Sequence, residues 1–444
     1  MIFTQFVDDA LGCASYLVGD PGTGHAVVVD PAFSIEQYVA EAAKRDVRIV
    51  RVIETHTHAD HLAGHGRFAL EQGTPISVHP AAEVQYQHEP FEDGDEIELG
   101  DVVLRCIHTP GHRPEHCCVV VTDRTRGDEP WIVLTGDSLF VGDVARPDLA
   151  VEAREGAEGL FHSLRRLVEL GDGVEVYPGH VAGSLCGKAM SSKASTTIGF
   201  ERRFNSALRT DDVAVFVAES TSVSAPRPPN MERIVELNRG PFVAAADEPA
   251  EVSAAPDGAQ ILDVRTVETF AEGHLAGAVS VPVSGTRFST KAAFVLDPGP
   301  IVVIADDAGE ARIAIERLRS VGLLDIAGYL LGGGPEKLDL VSIDQLDALL
   351  ENGAELIDVR EKDERDSGYI AGSRNIPYRL LALGAADLPT DRPIVTICET
   401  GPRAAIAASI LSARGYDAHP VVDGGIDSWA ASGRPTVEFR RCGS

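Results

Sequence analysis

The sequence predicts an α/β multidomain protein: one N-terminal α/β unit followed by two smaller α/β domains built alike. Three observations predict it. Short β-rich runs alternate with helical stretches along the chain, and all but two of the 14 histidines fall before residue 181. A segment starting at Ile261 also returns about 95 residues later, from Leu356. At 444 residues the chain exceeds one ordinary core, and usual domain sizes give two to four units.

In the N-terminal part, "HAVVVD", "VRIVRVIETH", "DVVLRCIH", "CCVVVT" and "WIVLTGD" read as buried strands, being short apolar runs rich in β-branched residues. "SIEQYVAEAAKRD" and "GLFHSLRRLVELGDG" read as helices. Residues with ligand chemistry follow the strands directly, on the loops where a rigid α/β scaffold presents reactive groups. A Pro-rich stretch, "SAPRPPNME" (Ser224 to Glu232), precedes the Ala/Pro/acidic "AAADEPAEVSAAPDG" (Ala244 to Gly258), which reads as a linker.

Beyond the linker, "ILDVRTVETFAEGHLAGAVSVP" matches "LIDVREKDERDSGYIAGSRNIP". Later in each copy "IVVIADDAGEARIAIERLRSVG" matches "IVTICETGPRAAIAASILSARG", and a glycine cluster closes each. The expected domains are 1–243, 250–338 and 340–438.

Composition narrows the partners. The formal net charge of −29 argues against nucleic acid and against anionic membrane, so an anionic substrate needs a local basic island. "MIFTQFVDDALGC" has no basic n-region, and no stretch reaches the roughly 18 apolar residues of a membrane span. The seven cysteines, Cys13, Cys106, Cys117, Cys118, Cys186, Cys398 and Cys442, are odd in number and irregularly spaced. They read as reduced thiols of a soluble, cytoplasmic protein, expected to be a homo-oligomer.

"ETHTHADHLAGH" packs four histidines and an aspartate into one short loop. His56, His58, Asp60 and His61 close a strand there. His112 follows in "HTPGHRPEH", Asp137 in "VLTGDSLF" and His180 in "VYPGH", each after a strand. Imidazole with carboxylate suits Zn²⁺, Fe²⁺ or Mn²⁺. His65, His79, His88, His108, His116 and His162 are not expected to be ligands.

This ordered set resembles the metallo-β-lactamase superfamily in its glyoxalase II branch, over roughly residues 1 to 240. The resemblance implies an N-terminal αββα sandwich with the metal at one edge. In the superfamily's binuclear hydrolases the residues matching His56, His58, His112 and Asp137 hold one metal, and those matching Asp60, His61, Asp137 and His180 the second. A narrower resemblance is to persulfide dioxygenases. These hold a single Fe(II) through the residues matching His56, His112 and Asp137, leaving positions for O2 and a substrate sulfur.

"FVGDVARPDL" resembles the segment carrying their Arg-x-Asp element, which falls on Arg146 and Asp148. Arg146 would clamp a substrate carboxylate or shape the pocket; a loop salt bridge is the plainer alternative. "GSLCGKAMSSKASTTIGFERRFN" sets Lys188, Lys193, Arg202 and Arg203 against Glu201, a basic island suited to a thiol carrier of glutathione or coenzyme A type. Cys186 within it is a candidate sulfur relay or an inert buried thiol.

In "VTICETGPRAAIAASIL" a β-run ends at Cys398 and a short loop leads through Arg403 into an Ala-rich helix. Backbone N–H groups and a helix N-terminus aimed at a sulfur stabilise negative charge on it, and Arg403 adds a fixed cation. With "IDVREKDERDSGYIAGSRNIP" and "VVDGGIDSWAASGRP", this C-x-x-G-x-R loop resembles a rhodanese domain over most of 340–438. Glu399 and the missing N–H of Pro402 disfavour small anions as sulfur donors and favour an organic persulfide. Ala305 stands where Cys398 would fall in the first copy, so 250–338 resembles an inactive rhodanese, read as a spacer or docking surface.

The whole resembles the persulfide dioxygenase–rhodanese fusions of sulfide detoxification. That implies iron-dependent oxidation of a low-molecular-weight thiol persulfide by O2 to sulfite, with Cys398 carrying sulfane sulfur that sulfite can take up as thiosulfate. Two alternatives stand beside it: a binuclear zinc thioesterase of glyoxalase II type fused to a sulfurtransferase, and a non-enzymatic sulfur carrier or persulfide sensor.

Overall fold

Six strands, β1 (Ile2–Asp8), β2 (Cys13–Asp20), β3 (His25–Val29), β4 (Arg48–Ile53), β5 (Ile76–Val78) and β6 (Glu89–Pro90), join in sequence order into one mixed sheet. The second sheet runs in the reverse of its sequence order through β7 (Glu96–Glu98), β8 (Val102–His108), β9 (Cys117–Asp123), β10 (Ile132–Gly136), β11 (Glu175–Pro178) and β12 (Thr196–Thr197). The computed structural model describes residues 1–181, 191, 193–221, 226–384 and 387–438.

Side chains alternate between two apolar layers along these strands. Tyr16, Val18, Val27 and Val29 meet Leu104, Val119, Val121 and Leu134 of the other sheet in a shared core. Their neighbours Leu17, Ala26 and Val28 face outward onto Tyr38 and Ala42 of the helix Glu36–Lys44. Cys118, Val120 and Val133 do the same against Leu160, Leu164 and Leu167 of the helix Ala153–Val168. Period-two alternation between two buried faces is what a strand inside a four-layer stack requires. Each buried Val or Leu contributes roughly 1.5–3 kcal/mol, so a one-residue slip that swapped the two layers would be prohibitive. The layers are helix, sheet, sheet, helix: the αββα sandwich expected.

This architecture positions the chemistry. β4 ends three residues before His56, β8 four before His112, β10 one before Asp137, and β11 two before His180. Three of these four strands run in parallel pairs, and their C-terminal ends gather the loops at one edge.

The two repeats form small parallel sheets of identical order. In the first, β13 (Gln260–Asp263), β14 (Val279–Ser280), β15 (Ile301–Ala305) and β16 (Ile326–Leu331) lie as β14-β13-β15-β16. In the second, β17 (Glu355–Asp358), β18 (Arg374–Asn375), β19 (Ile394–Ile397) and β20 (Ala418–Pro420) lie as β18-β17-β19-β20.

Each copy buries the same ion pair. Arg265 Nη2 donates to Asp263 at 2.6 Å and to the Gly273 carbonyl at 2.9 Å; Arg360 Nη2 donates to Asp358 at 2.8 Å and to the Gly368 carbonyl at 2.7 Å. Both repeats belong to one compact unit, Asp247–Leu318 with Leu323–Ser444. Within it, the Ser280 N–H of the first repeat donates to Ser409 Oγ of the second at 2.9 Å. Among the described residues, no helix is long and apolar enough to cross a membrane.

Candidate functional site

His56, His112 and Asp137 come together in the buried edge of the sandwich, each offering a ligand atom within 4.8 Å of the others. His112 Nε2 stands 3.5 Å and His56 Nε2 4.0 Å from Asp137 Oδ2. Two ligands each about 2.0–2.2 Å from one ion stand roughly 3–4 Å apart, so the spacing fits a metal.

The remaining ring nitrogens set the tautomers. His112 Nδ1 lies 3.2 Å from the Arg146 carbonyl, and His180 Nδ1 3.2 Å from the Gly12 carbonyl. A carbonyl only accepts, so each Nδ1 carries the proton and each Nε2 presents a lone pair. For His56 the same result is reached through a relay: Thr55 Oγ1 donates to Asp30 Oδ2 at 2.8 Å and so accepts from His56 Nδ1 at 2.9 Å. Burial, then the charges of His58 and His112, hold His56 well below the ordinary imidazole range, which keeps it neutral.

Asp137 is prepared in the complementary sense. Burial alone would raise its carboxyl, but His180 and His112 hold it well below the usual range. Neither of its buried oxygens receives an aligned hydrogen bond, although His180 Nε2 lies 3.2 Å away. Lone pairs from imidazoles and an orphaned carboxylate converging on one buried spot are what a cation satisfies. His116, not expected as a ligand, holds this aspartate: its Nε2 accepts the Asp137 N–H at 2.9 Å, and its Nδ1 pairs with Thr109 Oγ1 at 2.9 Å. Gly136 makes the approach possible, since at φ +45° a Cβ there would lie 2.6 Å from Thr55 Oγ1 and 2.7 Å from His116 Nε2.

The other motif residues divide differently. His58 Nε2 lies 3.2 Å from Glu54 and 3.4 Å from Asp30, neither contact aligned as a hydrogen bond. Burial opposes its protonation, but those two carboxylates prevail and raise it well above the ordinary value. Asp60 and His61 pair at 3.0 Å beside Cys13, and His180 Nε2 reaches Asp60 at 3.4 Å. Asn238 clamps the loop, its Nδ2 donating to the carbonyls of His58 and His61 at 3.0 and 2.9 Å.

Sequence reasoning missed Asp30, Glu54, Thr55 and Asn238. The first three sit at the ends of the strand runs quoted above, a faint signal; Asn238 gave none. Arg146 is buried and forked onto Asp148 by two 2.7 Å hydrogen bonds, with a third to the Pro226 carbonyl at 2.9 Å. Of the basic island, Arg202 pairs with Asp172 at 2.6 Å, while Lys188 and Cys186 lie outside the described residues.

At the end of β19, Cys398 is buried, and the Gly401 N–H donates to its Sγ at 3.1 Å. Gly401 has φ +117° and a Cβ there would lie 2.7 Å from the Val422 carbonyl, so only glycine turns the loop this tightly. Arg403, at the start of the helix Pro402–Ser412, does not stand free: it forks onto Glu364 at 2.6 and 2.7 Å and lies 3.7 Å from Glu399. In the first copy the aligned loop carries Ala305, Asp306 and Asp307, and Glu310 occupies the position of Arg403.

The metallo-beta-lactamase superfamily model matches residues 8–180, and the rhodanese-like domain model matches 248–336 and 342–432. The chain belongs to the metallo-beta-lactamase superfamily through its N-terminal domain and carries two rhodanese-like domains after it. An uncharacterized protein of Mycobacterium tuberculosis is 32% identical over 234 residues, 46% of this chain and 96% of its own length. The mitochondrial persulfide dioxygenase ETHE1 of Bos taurus is 29% identical over 230 residues, 50% of this chain and 82% of its own. A solved metallo-beta-lactamase from Staphylococcus aureus superposes with a TM-score of 0.69 at 28% identity, covering 74% of this chain and 99% of that one. The persulfide dioxygenase relative and the rhodanese-like pair together support an enzyme with a general role in sulfur metabolism.

Proposed function

We propose that the chain oxidises a low-molecular-weight thiol persulfide with O2 at one Fe(II) per chain, held by His56, His112 and Asp137. In the reaction, one persulfide, one O2 and one water give the thiol, sulfite and two protons; the outer sulfur loses four electrons and O2 takes them. Cys398 then carries sulfane sulfur, which sulfite takes up as thiosulfate.

The observation that carries this reading is the division of the motif. Two imidazoles and one carboxylate converge at one spot, while His58, a ligand in a binuclear hydrolase, stands in a separate buried cluster with Asp30 and Glu54. When bound, ferrous iron supplies open coordination positions and the redox change that zinc lacks. The chain's own groups orient the ligands: Thr55 and Asp30 hold His56, the Arg146 carbonyl holds His112, and His116 holds Asp137. Arg146, fixed by Asp148, keeps that carbonyl in place. Lys188 and Cys186 are the proposed contacts for an anionic glutathione or coenzyme A carrier.

One observation favours the binuclear zinc thioesterase instead. His180 bridges Asp137 and Asp60 at 3.2 and 3.4 Å, with His61 adjoining, so a second donor set stands close by. Oxygen consumption by iron-loaded protein given glutathione persulfide, with bound metal quantified on the same sample, decides between them. Uptake in proportion to iron, near one per chain, is expected. No uptake with two zinc per chain would overturn the dioxygenase reading.

A further inference from the structure

The two repeats each close one helix with the same turn. After the helix Ala308–Arg319, the Gly322 N–H donates to the Arg319 carbonyl at 3.0 Å and the Leu323 N–H to the Leu318 carbonyl at 3.2 Å. After the helix Pro402–Ser412, the Gly415 N–H donates to the Ser412 carbonyl at 2.9 Å and the Tyr416 N–H to the Leu411 carbonyl at 3.1 Å. Gly322 at φ +76° and Gly415 at φ +83° supply the left-handed residue that such a stop needs. The surroundings differ. In the second repeat Ala413, Arg414 and Gly415 are exposed, the ordinary state of a helix-ending turn. In the first, Ser320, Val321 and Gly322 are all buried, Val321 being only 1% exposed.

The first turn is buried against the support of the metal loop. Arg319–Gly322 lies inside the first repeat in sequence, yet it belongs to the compact unit of Met1–Ala246. Three successive carbonyls of the turn are taken there. The Ser320 carbonyl accepts the Leu62 N–H at 2.7 Å, the Val321 carbonyl accepts from Asn230 Nδ2 at 3.3 Å, and the Gly322 carbonyl from Arg233 Nε at 3.3 Å. Carbonyls at a helix C-terminus have no partner within the helix, so they are free to accept from elsewhere. Asn230 and Arg233 stand at the head of the helix Met231–Arg239, whose Asn238 holds the His58 and His61 carbonyls. The peptide between His61 and Leu62 is therefore pinned at both polar atoms, its carbonyl by Asn238 and its N–H by Ser320.

We propose that the turn Arg319–Gly322 is a positioning element of the metal centre: it holds the loop that carries Asp60 and His61, so that a segment of the thiol-less repeat sets how tightly the centre binds its metal. Asp60 and His61 pair at 3.0 Å, and Asp60 stands 3.4 Å from His180 Nε2, which reaches Asp137 at 3.2 Å. A loop loosened at the His61–Leu62 peptide loses that spacing, and through His180 the placement of Asp137 loosens with it. Removing a group that orients ligands lowers metal affinity by about 10–100-fold. Val321 records this role in the sequence: an apolar residue fills the buried turn at the position that Arg414 holds in the exposed one. The inference rests on the reading that this edge of the sandwich holds a metal, and it applies whichever metal that is.

The test uses full-length protein and two readouts. Val321→Arg gives the first turn the residue that its twin carries in solvent, and it is expected to unseat the turn. Amide exchange of the segment 58–66 in the metal-free protein should then speed up by about tenfold, and chelator competition should show Zn²⁺ and Fe²⁺ affinity lower by about tenfold. Val321→Ile should match the parent in both. Arg233→Ala, which removes a single contact, should shift both in the same direction by less. Thermal unfolding checks that each variant is folded, and Arg233→Ala carries the test if Val321→Arg is not. Unaltered exchange in segment 58–66, or faster exchange with unaltered metal affinity, would overturn this inference alone. A parent protein that binds neither Zn²⁺ nor Fe²⁺ would overturn the metal reading and this inference with it.

Discussion

Asp30 reaches His56 through a single hydroxyl. Thr55 Oγ1 donates to Asp30 at 2.8 Å and accepts from His56 at 2.9 Å, so a carboxylate that touches no ligand fixes which nitrogen of His56 faces Asp137. Removing such a partner typically weakens metal binding by about 10–100-fold. Thr55→Val should do so in chelator competition, and Thr55→Ser should not. Equal affinity in the valine variant would show that the relay is ornamental.

His58 makes the sharpest contrast between a one-metal and a two-metal site. Held between two buried carboxylates, it stabilises the metal-free fold, and its loss leaves Asp30 and Glu54 facing each other uncompensated. Breaking a buried pair of this kind costs roughly 3–5 kcal/mol. Denaturant unfolding of metal-free His58→Ala should show a loss of that order. If His58 were chiefly a metal ligand, metal-free stability would scarcely change and the loss would appear only in the metal-loaded protein.

Cys398→Ser should leave oxygen uptake largely intact and shift the product from thiosulfate towards sulfite, read by quantifying both anions. The candidate metal ligands and the cysteine lie on different domains. An unchanged thiosulfate yield would remove Cys398 from the product-forming step.

Lys291 predicts an unusual pH dependence of stability. Burial, then the charges of Arg287 and Arg403, bring its ammonium down to about 8 in the fold against an ordinary 10.5, so between those values the unfolded chain binds more protons than the folded one. Stability attributable to this group therefore rises with pH across that window, and below about 8 the whole penalty is present. Lys291→Met should raise the stability at pH 7 by on the order of 1–3 kcal/mol and flatten the slope between pH 8 and 10.5. A residue kept only for packing would give the opposite, a lower Tm at pH 7.

Much of the fold is legible in the sequence. The strands showed because both faces are buried, giving continuous apolar runs such as "HAVVVD" and "CCVVVT". The candidate ligands showed because each follows a strand at short range, and the repeat because its two copies match both around "DVR" and at the loop where Ala305 and Cys398 align. The direction of His58 did not show: H-x-H-x-D-H reads the same whether that imidazole meets a metal or Asp30, a residue 28 positions upstream. Nor did the commitment of Arg403 to Glu364, since it joins segments that only the tertiary fold brings together. The first repeat reads as a spacer or docking surface because its missing thiol is a local feature of the sequence.

The two copies share a buried Asp–Arg pair, yet only the second carries a cysteine in its loop. The first copy differs by more than Ala305 in place of a cysteine: Asp306 and Asp307 line its loop, and Glu310 reverses the charge that Arg403 carries in its twin. A cysteine restored at Ala305 would sit among carboxylates, which oppose a thiolate and repel a persulfide anion. A cysteine placed at Ala305 alone would therefore leave the first repeat unable to act as a second sulfur carrier.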